Sequence, residues 1–166
     1  MVEVSVVRGD ALLGAAALDE LSELWLSLFD HHEAVGPGPV IGRDQSWSLR
    51  RVVYEQVLAD PDAFAVLARA GSRIVGYAMV AMHRGADDTW PTGDRYAEVE
   101  TLVVSPELRG QGLGSTLLDA VDAELHAMGV GASFIAVMVG NDDAERFYRR
   151  RGYHPVITKL MRVIEQ

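Results

Sequence analysis

Three glycines at alternate positions form the segment of this 166-residue chain best suited to bind an anion. Gly110, Gly112 and Gly114 follow an apolar run, Leu102 to Val104, that ends at Ser105-Pro106, and an amphipathic stretch comes after them. A strand, a turn and a helix start in this order leave backbone N–H groups without acceptors at the helix start, where an anion can bind. The sequence therefore predicts that a nucleotide or coenzyme phosphate binds here.

Two common phosphate-binding loops do not fit this spacing. A dinucleotide-binding loop needs Gly-x-Gly-x-x-Gly directly after a strand, but here the third glycine is one residue early and a proline turn intervenes. A P-loop needs a lysine before its Ser or Thr, and no lysine precedes Ser115. The spacing that does fit is Arg-x-x-Gly-x-Gly, from Arg109 to Gly114.

This loop resembles the acyl-coenzyme A pyrophosphate loop of the GNAT superfamily of N-acetyltransferases. A second segment resembles the later signature of the same superfamily, and it reads Asn141-Asp142-Asp143-Ala144-Glu145-Arg146-Phe147-Tyr148 and then Gly152-Tyr153. One helix and one strand separate the two segments, as in the superfamily. The resemblance covers about Tyr96 to Val156 with specific motifs, and the first half of the chain matches only in its order of elements.

The resemblance implies that acetyl-coenzyme A (acetyl-CoA) is the acetyl donor and that no metal takes part. The backbone of Leu102, Val103 and Val104 would bind the pantetheine arm, which lies between two splayed strands in the superfamily. Asn141 would bind the same arm, although capping a helix is an equally natural role for it. The diphosphate would bind to the glycine loop, formed by Arg109, Gly110, Gln111, Gly112, Leu113, Gly114 and Ser115.

The expected reaction is direct transfer of the acetyl group to a primary amine in a ternary complex. The chain has no cysteine, which agrees with a mechanism that uses no protein thiol. Tyr148 matches the superfamily tyrosine that protonates the leaving thiolate, and its ordinary pKa, about 10, lies above that of a thiol. The alternative is that Tyr148 only packs beside Phe147.

Two carboxylates are candidates for the base. Glu98 and Glu100 are two residues apart on a strand and therefore share one face. Because amines with a pKa near 10 arrive protonated, a carboxylate or a water molecule must take a proton. Glu98 aligns with the carboxylate that some superfamily members use, Glu100 is nearer the thioester, and the alternative is a pair of solvated or ion-paired glutamates.

The acceptor itself is not predicted. The superfamily builds that site from its first helices and from a loop between strands, which vary most among its members. An amine of a small molecule or of a peptide fits equally well. The side chains that are candidates to line the site are His31, His32, Trp47, His83, Trp90 and Tyr96.

Hydrophobic periodicity predicts one α/β domain over residues 1–166, with a mixed, mostly antiparallel sheet flanked by helices in the order β-α-α-β-β-β-α-β-α-β-β. The first helix runs from Asp10 to about His32, and the second, from Ser46 to Ala59, has a stripe along Leu49, Val52, Val53, Gln56 and Val57. The later elements are strands Phe64 to Arg69, Arg73 to His83, Tyr96 to Ser105 and Ser133 to Val139, helices Gly112 to Met128 and Asn141 to Arg151, and closing strands Tyr153 to Val156 and Ile157 to Ile164.

Composition narrows the class of protein further. The net charge of −9 and the absence of a basic patch argue against a nucleic-acid partner. No apolar run is long enough to cross a bilayer, and no signal peptide is evident, so we expect a cytoplasmic protein without a membrane partner. Family analogy predicts a homodimer through the terminal strands. The alternative function is a non-catalytic module of the same fold that binds acyl-CoA for sensing or assembly.

Overall fold

The computed structural model describes residues 1–12, 14–38 and 40–164. Its strands are β1 (Val2–Arg8), β2 (Phe64–Ala70), β3 (Arg73–Arg84), β4 (Arg95–Val104) and β5 (Ser133–Ile135). Its helices are α1 (Gly9–Leu12), α2 (Ala15–Asp19), α3 (Ser22–Val35), α4 (Arg43–Leu58), α5 (Leu113–Ala127) and α6 (Asp142–Arg150), with a short 3₁₀ helix at Pro106–Leu108. No helix within these ranges is long and apolar enough to cross a membrane.

One five-stranded sheet in the order β1-β2-β3-β4-β5 organises the chain. The first four strands pair antiparallel in sequence order, whereas β5 pairs parallel to β4. The parallel pair requires a crossover, which α5 provides. The predicted α/β class and the mixed, mostly antiparallel sheet are confirmed.

The sheet separates two hydrophobic cores. One core packs α1 to α4 on one face and includes Leu21, Leu58 and Tyr77. The other core packs α5 on the opposite face and includes Leu117 and Val121. Strands β2 and β3 are buried on both faces over most of their length, which explains their nearly continuous apolar sequences.

Strand β4 contains a β-bulge at Glu100. Its neighbours Val99 and Thr101 pair with consecutive residues of β3, so Glu100 is the extra residue. Before the bulge Val99 faces the α5 core, and after it Leu102 does. The bulge therefore changes which residues of β4 face each helix layer, just before the strand reaches the glycine loop.

Three expectations about secondary structure are wrong. The single helix from Asp10 to His32 is divided into α1, α2 and α3, because Gly14 has an extended backbone (φ −69°, ψ 132°) and a turn at Glu20–Leu21 follows α2. Leu13 lies outside the described residues. The closing strands Tyr153 to Val156 and Ile157 to Ile164 do not form, and β5 ends at Ile135 rather than at Val139. A strand needs an edge with which to pair, and β5 offers only three residues.

Candidate active site

The glycine loop ends in a helix start that is open to a ligand. Gly112 is the N-cap of α5 with φ +86°, and Gly110 has φ +75°; both values favour glycine because a Cβ atom would strain them. No atom outside the immediate chain lies within 4 Å of a Cβ built at either position. The first helical bond, from Thr116 N to Gly112 O, leaves the N–H groups of the first turn without acceptors inside the helix. The loop therefore offers backbone donors and the positive end of the helix dipole to an anion.

The polar side chains of the loop turn towards the protein. Arg109 Nε donates to Val104 O at 3.1 Å, and its Nη2 lies 3.5 Å from Ser27 Oγ on α3. Gln111 donates to the carbonyl of Glu107 at 3.0 Å. These bonds fix the loop against β4 and the 3₁₀ helix. The binding of a diphosphate by Arg109 and Gln111 stays a prediction.

Pairing between β4 and β5 ends before this loop, which leaves a gap in the ladder of strand hydrogen bonds. The two strands pair only over Ala97–Val99 and Ser133–Ile135. Beyond that point, within the described residues, the β4 edge from Glu100 to Val104 has no strand partner on its β5 side. The side chains of Leu102 and Val104 pack on the α5 core and that of Val103 in the other core. Any ligand contact from these three residues is therefore left to the backbone, as the resemblance implies.

Asn141 adopts the capping role at the start of α6. Its Oδ1 accepts from the backbone N–H of Ala144 at 3.3 Å. This bond uses only the amide oxygen, so the Nδ2 donors remain available to a ligand. The contact with the pantetheine arm stays a prediction alongside the cap.

Tyr148 lies at the inner face of α6, in an aromatic cluster. Its side chain is buried, with ring centroids 5.2 Å from Phe147 and 5.9 Å from Tyr153. Burial, and to a smaller extent the neighbouring Tyr153, raises the pKa of the Tyr148 phenol well above its ordinary value. No described residue makes a hydrogen bond with its hydroxyl. Tyr148 therefore keeps its proton at neutral pH and can donate it to a ligand atom.

The two candidate carboxylates lie on the sheet face that α4 covers. Glu100 accepts from Arg50 Nη1 on α4 at 3.5 Å, and each side chain is 24% exposed. Glu98 Oε2 lies 3.2 Å from His83 Nε2, but the contact lacks the alignment of a hydrogen bond. The His83 ring stacks on Tyr96 with centroids 4.8 Å apart. Arg50, Glu100, Glu98 and His83 thus form a row in the order cation, carboxylate, carboxylate, imidazole.

The environment of Glu100 makes its carboxylate a better proton acceptor. Burial is the largest cause that raises the pKa of Glu100, and the charge of Glu98 raises it further. The positive charge of Arg50 opposes both effects. A carboxylate with a raised pKa accepts a proton more readily than an exposed glutamate.

Arg50 is the site residue that sequence reasoning missed. The predicted stripe of α4 is wrong, because Leu49 and Val52 are 52% and 48% exposed. The sheet-facing side instead carries Ser46, Arg50 and Tyr54, at a spacing of four residues. The sequence signal that could have identified Arg50 was this polar i, i+4 series. A search for hydrophobic periodicity does not count polar residues and therefore overlooks it.

Of the expected acceptor-site residues, the structure brings His83 and Tyr96 together with the carboxylates. His32 on α3 lies close enough to Arg50 for the arginine to contribute to its lowered pKa, of which burial is the main cause, followed by His31. Trp90 lies in the loop between β3 and β4. Within the described ranges, no three His, Cys, Asp or Glu side chains are grouped to hold a metal ion.

Some known proteins are similar to this chain in sequence, and others are similar to it in fold. An aminoalkylphosphonate N-acetyltransferase of Salmonella typhimurium is 32% identical over 99 residues, covering 58% of this chain and 60% of that protein. An IAA acetyltransferase of Azospirillum brasilense is 30% identical over 98 residues, covering 59% of each. The chain thus spans about 60% of the length of these two relatives.

Solved structures resemble the chain over nearly its full length. A GCN5-related N-acetyltransferase from Ralstonia eutropha has a TM-score of 0.75 at 17% identity, covering 99% of both chains. A putative acetyl transferase from Pyrococcus furiosus has a TM-score of 0.73 at 18% identity, covering 98% of this chain and 100% of that one. These likenesses establish the fold. The model of the Acetyltransferase (GNAT) family matches residues 17–153, and the chain belongs to that family.

Proposed function

We propose that the chain transfers the acetyl group of acetyl-CoA to a primary amine, by direct attack in a ternary complex. The observation that carries this proposal is the gap between β4 and β5, which opens beside the N-terminus of α5. The gap offers an extended ligand the part of the β4 backbone that has no strand partner, and the glycine loop beside it offers a second set of donors to a diphosphate. A ligand with a thioester arm and a diphosphate has the chemistry that both features suit.

The residues present fit such a donor. The backbone N–H groups from Leu113 to Ser115 would bind the diphosphate, and the β4 edge from Leu102 to Val104 would bind the arm and the thioester carbonyl. When bound, acetyl-CoA supplies the acetyl group as a thioester. Hydrogen bonds from fixed N–H groups to that carbonyl are strengthened as negative charge develops on its oxygen, which lowers the barrier.

Proton transfer is assigned to two side chains, those of Glu100 on β4 and Tyr148 on α6. Glu100 takes the first proton from the ammonium group of the acceptor, with Glu98 as its charged neighbour. The amine nitrogen then bonds to the acetyl carbon, the carbon–sulfur bond breaks, and Tyr148 donates its proton to sulfur. The second proton of the amine restores Tyr148, so the products are one amide, one thiol and one proton.

The raised pKa of Tyr148 defines how it acts. A phenol above its ordinary pKa holds its proton more firmly than a thiol does, so full transfer before bond cleavage is unfavourable. The phenol instead donates a hydrogen bond to sulfur that strengthens as negative charge develops there, and its proton moves to sulfur only together with the amine proton that replaces it. Tyr148 therefore stabilises the transition state rather than the bound thioester.

The relatives do not identify the acceptor. Their names mention aminoalkylphosphonate, IAA and mycothiol, and the structural neighbours include aminoglycoside acetyltransferases. The acceptor of this chain must therefore be inferred from its own side chains.

The test combines binding and turnover. We expect saturable binding of acetyl-CoA by calorimetry and release of free thiol when a panel of primary amines is added. Tyr148→Phe should retain acetyl-CoA binding but lose about 10²-fold in kcat, because general acid catalysis contributes about that much. Tyr153→Phe is the matched control, since it removes a neighbouring phenol that, among the described residues, is bonded to Ser133 alone.

Two results would contradict the proposal. Full turnover by Tyr148→Phe would remove Tyr148 from the mechanism. Binding of acetyl-CoA without acetylation of any amine would favour the alternative, a non-catalytic acyl-CoA-binding module for sensing or assembly.

A further inference from the structure

We infer that the acceptor is a small zwitterion, an amine with a carboxylate or phosphonate group a few bonds away, and that Arg50 binds its anionic group. This inference rests on the proposed acetyl transfer and names the substrate class of the same site. It follows from the arrangement of Arg50, Glu100 and the aromatic side chains of α3 and α4.

Arg50 is held in place by aromatic rings rather than by a strong ion pair. Its guanidinium carbon lies 4.2 Å from the centroid of the Trp25 ring and 5.6 Å from that of Tyr54. Trp25 is fixed in turn by its Nε1 bond to Ser46 at 3.0 Å. Stacking on rings leaves the edge of the guanidinium plane free to bind a planar or tetrahedral anion.

Most N–H donors of Arg50 have no hydrogen-bond partner among the described residues. Among the described residues, only Nη1 makes a hydrogen bond, and that bond to Glu100 is long, at 3.5 Å. The side chain is only 24% exposed, so the remaining donors lie in a partly desolvated site. Arginine favours bidentate binding of carboxylates and phosphonate-like groups, and such pairs are shorter and stronger than this contact. Arg50 therefore keeps donors for a second anion in addition to Glu100.

The spacing of Arg50 and Glu100 matches a zwitterion. The two side chains are in contact, with opposite charges. In a short amino acid or aminoalkylphosphonate, two or three bonds separate the amine from the acid group. When the acceptor binds, the ion pair between Arg50 and Glu100 can therefore be replaced by two ion pairs with the acceptor. The ammonium group of the acceptor binds Glu100, and its acid group binds Arg50.

The charges of Glu98, Glu100 and Arg50 together should make the site selective among amines. Glu98 and Glu100 both attract an amine, so attraction to the carboxylates alone does not distinguish one amine from another. Arg50 is the cation of this row that favours an anionic group, and it repels a second ammonium group. The site should therefore prefer zwitterions to amines of the same size that lack the acid group.

The experiment compares matched acceptors with the full chain and acetyl-CoA. The pairs are glycine with glycinamide, β-alanine with β-alaninamide, and aminomethylphosphonate with methylamine. We expect kcat/KM to be about tenfold or more higher for the acidic member of at least one pair, because hydrogen bonds to charged groups are strong. Arg50→Gln should reduce that ratio to about one, and Arg50→Lys should restore part of it.

The neighbouring arginine provides the control. Arg51→Gln removes the same charge, but Arg51 pairs with Glu55 and Asp19 instead. It should therefore keep the wild-type ratio. Thermal unfolding of each variant verifies that it is folded, and the ratio within one variant is independent of the fraction of active protein.

The outcomes separate the two proposals. Acetylation of both members of every pair at equal rates would overturn the zwitterion inference and leave acetyl transfer standing. A preference for acidic acceptors that persists in Arg50→Gln would overturn the role of Arg50. Failure to acetylate any acceptor, with acetyl-CoA bound, would overturn both proposals. The two amino-acid pairs test for a carboxylate ligand, and the aminomethylphosphonate pair tests for a phosphonate ligand.

Discussion

Glu98 and Glu100 are two residues apart, yet their surroundings differ. Glu100 contacts Arg50 and is the less exposed of the two side chains, 24% against 38% for Glu98, and burial raises the pKa of Glu100. Glu98 contacts His83 and acts on Glu100 through its charge. We therefore assign proton transfer to Glu100 and an electrostatic role to Glu98.

This assignment predicts the pH dependence of Glu98→Gln. The charge of Glu98 raises the pKa of Glu100, so its removal should lower that pKa. A base must be deprotonated to act, so the acidic limb of the kcat/KM profile should move to lower pH. The measurement is kcat/KM against pH for the wild type and the variant.

The opposite assignment gives a different result. If Glu98 were the base, Glu98→Gln would lose the acidic limb and about 10²-fold or more in rate. Glu55→Gln is a suitable control because Glu55 pairs with Arg51 on α4. Its profile should match the wild type.

The segment after β5 is held by backbone contact with the end of α3. A Cβ atom on Gly140 would lie 2.2 Å from the carbonyl oxygen of Val35, and Gly140 also has φ +92°. A Cβ on Gly36 would lie 3.1 Å from the side chain of Met138. This close approach places Asn141 at the start of α6 and connects the donor side to the helices of the acceptor side.

Comparison of Gly140→Ala with Gly152→Ala isolates this contact. Gly152 has nearly the same backbone, φ +90°, but no atom lies within 4 Å of its Cβ position. Both variants should lose about 1–2 kcal/mol through the left-handed conformation. Gly140→Ala should lose about 1–3 kcal/mol more in the free energy of unfolding, because the alanine overlaps the α3 backbone. Urea denaturation measures both, and equal losses would contradict the contact.

Between the sheet and α4, a buried hydroxyl network replaces purely apolar packing. The Tyr54 hydroxyl lies 2.9 Å from that of Tyr77 on β3 and 2.6 Å from Thr101 Oγ1 on β4. Burial raises the pKa of Tyr54 to about 12, so the phenol remains neutral. The network holds α4, and with it Arg50, at a fixed position over the sheet.

We expect Tyr54→Phe to destabilise the entire domain. The substitution leaves the hydroxyls of Tyr77 and Thr101 buried with one partner fewer, which costs about 1–3 kcal/mol of unfolding free energy. Tyr96→Phe is the control, since its hydroxyl has no hydrogen-bond partner in the described part of the chain. Chemical denaturation compares the two variants, and equal stability would show that the network contributes little.

The predicted homodimer through terminal strands stays a prediction. Residues 153–164 form neither helix nor strand, and large apolar side chains there, such as Ile157 and Leu160, are exposed. The segment therefore lacks the strands on which the analogy depended.

Local sequence was enough to predict the parts of the site that depend on local backbone. The glycines of the loop, the Asn141 cap and the alternation of β4 follow from φ preferences, side-chain capping and a period of two. These rules act over a few residues, so the strand–loop–helix unit and the donor class could be predicted from the chain.

The contacts of the proposed acceptor site depend on tertiary packing alone. Arg50 and Glu100 are 50 positions apart, and their contact depends on how α4 crosses the sheet. Apart from the polar i, i+4 series of α4, nothing local distinguishes Arg50 from Arg51, and nothing local shows that a bulge at Glu100 redirects β4. Contacts between distant segments are set by the burial of whole faces, which no short window of sequence contains. The sequence therefore determined the loop at which we propose that an anion binds, and the tertiary structure decided which charges surround the proposed amine site.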